Sequence, residues 1–185
     1  GTEAVSGGAD KTVRLWNLSD GKQLRTFAGG TDAVTSVAVT PDGVTVIAGS
    51  VDNHVRTWTL ANGQVGRDFV HPVAVRSVSV GGDASRIVTA ADDNIVRLWD
   101  LTSGLELERF TGHEANVVSV SLAADNKTIL SGSADKSGRL WTAAAVRVLQ
   151  ADPAKVYDLV LSADGTQAIT AGTNKTAKAW KTAEG

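Results

Sequence analysis

The sequence contains no cysteine and no methionine, and only three of its 185 residues are proline. Without cysteine the chain has no disulfide, no thiolate metal ligand and no thiol nucleophile. Aromatic residues are scarce as well: one tyrosine, three phenylalanines and five tryptophans. No apolar run reaches the length that a membrane helix needs, so a membrane is not predicted as a partner.

An excess of positive charge is also missing. Eighteen lysines and arginines stand against twenty aspartates and glutamates, which gives a formal net charge of −2. Because no basic run is present, nucleic acid is not predicted as a partner. The chain further lacks any long apolar stripe of helical period, and it contains 19 glycines. These features favour an all-β fold.

The five tryptophans recur at nearly constant spacing. They lie at positions 16, 58, 99, 141 and 180, so the intervals are 42, 41, 42 and 39 residues. A period near forty, with short apolar segments between turns, is typical of a radial array of β-sheets. The predicted domain is 1–185, built from units at approximately 1–21, 22–62, 63–103, 104–144 and 145–185.

Each full unit supplies four short segments, which we name the inner, second, third and outer strands. Several are almost continuously apolar, for example 44–49. Strands of this kind are buried on both faces, so each sheet needs a neighbour on either side. Sheets arranged radially around an axis meet this need. The pattern therefore predicts a β-propeller of four-stranded antiparallel blades.

The clearest copy runs from Phe110 to Trp141, with His113 before its inner strand, Ser131 on its second strand and Asp135 in the next turn. These residues resemble the WD40-repeat β-propeller family. The resemblance implies a buried structural relay in which indole, hydroxyl, imidazole and carboxylate are hydrogen-bonded in series. A second relay is expected from His71, Thr89, Asp93 and Trp99.

Other copies depart from the pattern. Near Trp58, Ala48 replaces the hydroxyl residue and Gly30 replaces the histidine, while near Trp180 the carboxylate and histidine positions hold Asn174 and Asp152. The chain also opens on a second strand and closes on a third. We therefore expect four to five blades of a larger, roughly seven-bladed ring, completed by further sequence or by another chain.

Catalysis is not predicted. His113, Ser131 and Asp135 have the residue types of a hydrolytic triad, but the same residues match the structural relay and no oxyanion donor lies beside them. The three histidines, at positions 54, 71 and 113, lack the spacing of a metal site. We expect no enzyme activity, no metal and no cofactor.

In the WD40-repeat family that the chain resembles, the residues three and five positions after the histidine often face partners. Four such residues are candidates for a partner-binding rim: Arg76, Asn116, Lys155 and Tyr157. Arginine and lysine suit an acidic or phosphorylated peptide, and tyrosine is a common interface anchor. The expected function is a non-catalytic scaffold for a protein or peptide, and the resemblance implies a soluble, cytoplasmic protein. Two alternatives stay open: a structural or assembly element, and the targeting domain of a multidomain enzyme.

Overall fold

The computed structural model describes residues 1–142, 145–149, 156–173 and 175–181. All regular structure in these ranges is β-strand, as predicted, and none of their segments is a helix able to cross a membrane. The strands are β1 (Glu3–Gly7), β2 (Val13–Asn17), β3 (Gln23–Phe27), β4 (Val34–Val39), β5 (Thr45–Ser50), β6 (His54–Thr59), β7 (Val65–Val70), β8 (Val75–Val80), β9 (Arg86–Ala91), β10 (Val96–Asp100), β11 (Glu106–Phe110), β12 (Val117–Leu122), β13 (Ile129–Ser133), β14 (Gly138–Thr142), β15 (Ala145–Leu149), β16 (Val156–Leu161), β17 (Gln167–Gly172) and β18 (Ala177–Lys181).

The strands form five antiparallel sheets in chain order. Sheet 1 is β1-β2-β3, sheet 2 is β4 to β7, sheet 3 is β8 to β11, sheet 4 is β12 to β15, and sheet 5 is β16-β17-β18. Within each sheet, strands that follow one another in the sequence are paired, as short hairpin connections require. The prediction of an all-β fold with four-stranded antiparallel blades is confirmed by sheets 2, 3 and 4. Within the described residues, sheets 1 and 5 have three strands each.

Aspartates organise the turns between the inner and second strands. In each turn the carboxylate accepts a hydrogen bond from the backbone N–H two residues later, which stabilises the reversal of the chain. The residues that act in this way are Asp42, Asp83, Asp125 and Asp164. The same turn is therefore built four times, at one end of the strands.

The core lies between successive sheets. We call the side of a sheet that faces the next sheet its forward face, and the opposite side its rear face. On the rear face of sheet 3, Trp99 packs against Ile47 and Phe69 of sheet 2. Trp141 of sheet 4 packs in the same way against Val88 and Leu98 of sheet 3. This repeated packing buries both faces of the middle sheets.

Hydrogen bonds between inner strands support this packing. Ser36 on β4 accepts one from the backbone N–H of Val78 on β8, over 3.1 Å, and Ser77 accepts one from Val120 on β12, over 3.2 Å. The contacts between sheets follow chain order, from sheet 1 to sheet 5. The described residues form a partial ring that is not closed.

Candidate functional site

The relay expected around Trp141 lies inside sheet 4. The indole N–H of Trp141 donates to Ser131 Oγ over 2.7 Å, and Ser131 Oγ lies 2.7 Å from His113 Nε2. On the other side of the ring, His113 Nδ1 lies 2.7 Å from Asp135 Oδ2. Because a carboxylate only accepts, the network assigns the imidazole proton to Nδ1, and the Ser131 hydroxyl donates to Nε2.

The charges in this relay are fixed by burial and hydrogen bonding. Burial lowers the pKa of His113 below its ordinary value, against the opposing effect of Asp135. Burial would raise the pKa of Asp135, but hydrogen bonds from Ser137, His113 and the backbone N–H of Glu114 lower it to about 2. At neutral pH the pair is therefore a neutral imidazole beside a carboxylate.

Sheet 3 holds a shorter relay. Trp99 donates to Thr89 Oγ1 over 2.9 Å, and the hydroxyl lies 2.8 Å from His71 Nε2. His71 Nδ1 then donates to the backbone carbonyl of Phe69 over 3.1 Å. Because this acceptor carries no charge to offset the cost of burying an imidazolium, burial lowers the pKa of His71 to about 4.

Asp93 forms an ion pair with Arg97 instead of a hydrogen bond with His71. The expectation that Asp93 completes the relay of His71, Thr89 and Trp99 is therefore wrong. Both guanidinium Nη atoms of Arg97 donate to the carboxylate of Asp93. In sheet 4 the backbone N–H of Glu114 donates to Asp135 over 3.0 Å and helps to hold that carboxylate near the imidazole. The residue after His71 is Pro72, which has no N–H to donate. Sheet 3 therefore lacks one of the donors that hold the carboxylate of sheet 4 near its imidazole.

The rim positions lie where the inner strands begin. Arg76 Nε donates to Asp92 Oδ1 over 2.8 Å and Nη2 donates to Oδ2, while Asn116 Nδ2 donates to Asp92 Oδ1 over 2.9 Å. Asp92 thus joins sheet 3 to sheet 4, and Arg76 keeps 41% of its side chain exposed. Tyr157 is 62% exposed. Lys155 lies outside the described residues.

Asp92 was missed in the sequence analysis. The residue before the turn aspartate is alanine or valine in sheets 1, 2 and 4, at Ala9, Val51 and Ala134, but it is aspartate in sheet 3. This pair of adjacent aspartates, Asp92 and Asp93, is the feature of the sequence from which a second acidic contact could have been predicted. One carboxylate binds the rim arginine and the other binds Arg97.

A cleft of about 390 Å³ lies between sheets 2 and 3, at the end of the strands opposite the rim. The cleft was not predicted from the sequence. Its lining is mostly polar, and five of the lining residues are threonines: Thr40, Thr45, Thr57, Thr59 and Thr102. The other lining residues are Asp42, Trp58, Gly66, Arg67, Ala84 and Leu101.

Two chemical uses of the relay residues find no support. Ser131 is fully buried and its oxygen already accepts the indole N–H, so a substrate has no access to it as a nucleophile. Across the described ranges, no group of three or more histidine, aspartate or glutamate side chains is arranged to hold a metal ion. The relay arrangement is suited to holding Trp141 in place.

Comparison with known proteins agrees with this repeated geometry. The family model described as WD domain, G-beta repeat matches residues 1–17, 21–59, 64–100, 104–142 and 144–181. The chain belongs to the WD40 family. Each complete WD40 match begins near an outer strand and continues through the inner, second and third strands of the next sheet. Membership of this family supports a role as a scaffold for protein interactions.

A WD40 relative is also found among curated proteins. The chain is 34% identical over 76 residues to transcription initiation factor TFIID subunit 5 of Caenorhabditis elegans. The aligned part is 40% of this chain and 12% of that protein. The chain thus matches only a small part of the relative, which is named as one subunit of a larger factor.

Proposed function

We propose that this WD40 chain is a non-catalytic scaffold that binds a protein or peptide on the rim formed by Arg76, Asn116 and Tyr157. The observation that carries the proposal is the exposure of Tyr157. It is the sole tyrosine of the sequence, and its side chain is 62% exposed at the start of an inner strand. The tryptophans of sheets 2, 3 and 4 are buried. A rigid aromatic ring at the surface is a common anchor in protein interfaces.

The rim also supplies a fixed polar group where β8 and β12 begin. Asp92 holds Arg76 and Asn116 in one network, so these side chains lose little conformational freedom when a partner binds. A carboxylate on a partner would compete with Asp92 for Arg76. A phosphate competes better, because it carries more charge and three acceptor oxygens. We expect the rim to prefer a phosphorylated peptide over its acidic counterpart.

A pull-down tests the rim. The parent chain, a double variant Arg76→Ala/Tyr157→Ala and a control variant Leu107→Ala/Arg109→Ala are immobilised in equal folded amounts. The control removes an exposed leucine and an exposed arginine from β11, away from the rim. The rim variant is expected to lose its protein partners and the control to keep them. Equal recovery by all three chains would contradict the proposal.

Assembly into a larger particle is the second candidate. The forward face of sheet 5 exposes the apolar side chains of Val160 and Ile169. The curated relative is itself a subunit, which supports the same idea. An Ile169→Asp variant that loses its partners while the rim variant keeps them would favour assembly over peptide binding.

A further inference from the structure

The cleft between sheets 2 and 3 exists because the forward face of sheet 2 departs from its repeats. The residue before the repeating tryptophan is leucine in sheets 1, 3 and 4, at Leu15, Leu98 and Leu140, and each of these is buried. Sheet 2 has Thr57 at this position. The shorter side chain leaves space that the leucines fill elsewhere.

A second departure enlarges the cleft. In sheet 3, Arg86 lies at the start of the second strand and reaches across to sheet 4, where Nη1 donates to the carbonyl of Asn126 over 3.1 Å. Sheet 2 has Thr45 at this position, opposite Ala84 of sheet 3. Ala84 and Asn126 occupy the same turn position, with φ values of 58° and 56°. Thr45 is too short to span the gap that Arg86 closes.

The third departure is Gly66, which stands where sheets 1 and 3 have Leu24 and Leu107. A Cβ at position 66 would lie 2.5 Å from Thr57 Oγ1. That oxygen accepts a hydrogen bond from the backbone N–H of Arg67 over 2.6 Å. Glycine and threonine therefore depend on each other here, and together they keep the cleft open.

Arg67 lines the cleft, and among the described residues no carboxylate forms an ion pair with it. The corresponding Arg25 of sheet 1 donates to the carbonyl of Ala61 over 2.7 Å, and no such bond is made by the Arg67 guanidinium within the described ranges. In the described part of the chain, the arginines that form ion pairs are Arg14, Arg56, Arg76, Arg97 and Arg109. The nearby Asp42 is committed to its turn, where it accepts hydrogen bonds from Thr40 and Val44.

We propose that this cleft binds the acidic side chain of a partner peptide. The carboxylate pairs with the guanidinium of Arg67, the hydroxyls of Thr59 and Thr102 add donors, and the methylenes pack on Leu101. The inference rests on the proposed scaffold function, but it places an acidic contact at the end of the sheets opposite the rim. Since Asp92 already neutralises Arg76, the cleft offers an acidic side chain the less contested arginine.

Nuclear magnetic resonance titration of the full ¹⁵N-labelled chain tests the cleft. The probes are three peptides of equal length, acetyl-Ala-Glu-Ala-amide, its glutamine counterpart and its lysine counterpart, added up to about 10 mM because a single contact binds weakly. We expect the glutamate peptide to shift the amides of Thr59, Arg67 and Thr102. Its affinity should exceed that of the glutamine peptide by about tenfold, as one charge-assisted hydrogen bond provides.

Two variants remove the site in different ways. Thr57→Leu fills the cleft with the residue that sheets 1, 3 and 4 have at this position, and Arg67→Gln removes the charge from an exposed position. Both should abolish the glutamate response, while Arg109→Gln, an exposed arginine outside the cleft, should keep it. If Thr57→Leu proves unfolded by circular dichroism, Arg67→Gln alone decides.

Three results would overturn the inference: no shift at the cleft with the glutamate peptide, equal or tighter binding of the glutamine or lysine peptide, or an unchanged response in Arg67→Gln. The rim is tested separately by the Arg76→Ala/Tyr157→Ala pull-down. A silent cleft with partner loss in that pull-down would reject the inference and leave the proposed function standing. An active cleft with no partner loss would reject the rim.

Discussion

His113 donates a hydrogen bond to Asp135 over 2.7 Å, and their side chains are only 0% and 8% exposed. The pair orients the imidazole so that its other nitrogen accepts the hydroxyl proton of Ser131, which in turn accepts the indole N–H of Trp141. Each buried polar group in this series therefore has a partner. A buried network of this kind is stable only while it is complete.

Replacing His113 by alanine should therefore lower the free energy of unfolding by about 1–3 kcal/mol, because Ser131 and Asp135 lose a buried partner. Urea unfolding at pH 7 measures the effect. His54→Ala is the matched control, since His54 pairs with the half-exposed Asp68 and exposed pairs contribute less than about 1 kcal/mol. Equal shifts of the two midpoints would show that the sheet 4 relay contributes no more than a surface pair.

The sequence was sufficient to predict the sheets because two independent signals agreed. The tryptophan spacing gave the repeat, and the short apolar segments between turns gave the strands in their order. The relay of sheet 4 could be anticipated because all of its side chains are present in one copy. These features depend on residues that act within a single sheet.

The features that escaped prediction depend on residues from two sheets. Asp92 joins Arg76 to Asn116 of the neighbouring sheet, and the cleft depends on Thr45 and Thr57 being small opposite sheet 3. Sequence reading can note a small residue, but it cannot show whether a neighbouring sheet fills the space. Packing between sheets decides that, and it is visible only in the structure.

Stability should fall as the pH is lowered from about 6.5 to about 4. The pKa of His71 is lowered by burial from 6.5 to about 4, so in this interval the unfolded chain binds a proton that the folded chain does not. The contribution is fully present above pH 6.5 and is lost as the pH falls. A pKa lowered from 6.5 to about 4 corresponds to a full contribution of about 3 kcal/mol to the free energy of unfolding.

Urea unfolding of the parent and of a His71→Gln variant, at pH 7 and at pH 4.5, checks this prediction. His113 titrates in the same direction, so the variant should keep part of the pH dependence and lose the part that His71 contributes. The quantity compared between the two chains is the free energy of unfolding that each loses between pH 7 and pH 4.5. Parallel pH profiles would mean that His71 accepts a proton in the folded chain as readily as in the unfolded one.

Thr57 and Gly66 should show strong coupling in a double-mutant cycle. Gly66→Ala places a Cβ 2.5 Å from Thr57 Oγ1 and should cost about 1–3 kcal/mol through overpacking. In Thr57→Ala/Gly66→Ala the obstructing oxygen is absent, so the double variant should lose less stability than the two single losses combined. Thermal unfolding of all four chains gives the coupling, and simple additivity would contradict the contact.

Leu130 and Ile169 occupy the same position in consecutive sheets, since each follows the residue that pairs with the repeating tryptophan. Leu130 is 0% exposed between sheets 4 and 5, whereas Ile169 is 46% exposed on the forward face of sheet 5. Leu130→Ala should cost about 2–5 kcal/mol because it leaves a cavity in a packed interface. Ile169→Ala should cost about 1 kcal/mol or less, because its site is already half in water. Urea unfolding at several protein concentrations measures both. A large loss at Ile169, growing with protein concentration, would mean that a second copy of the chain covers this face in solution.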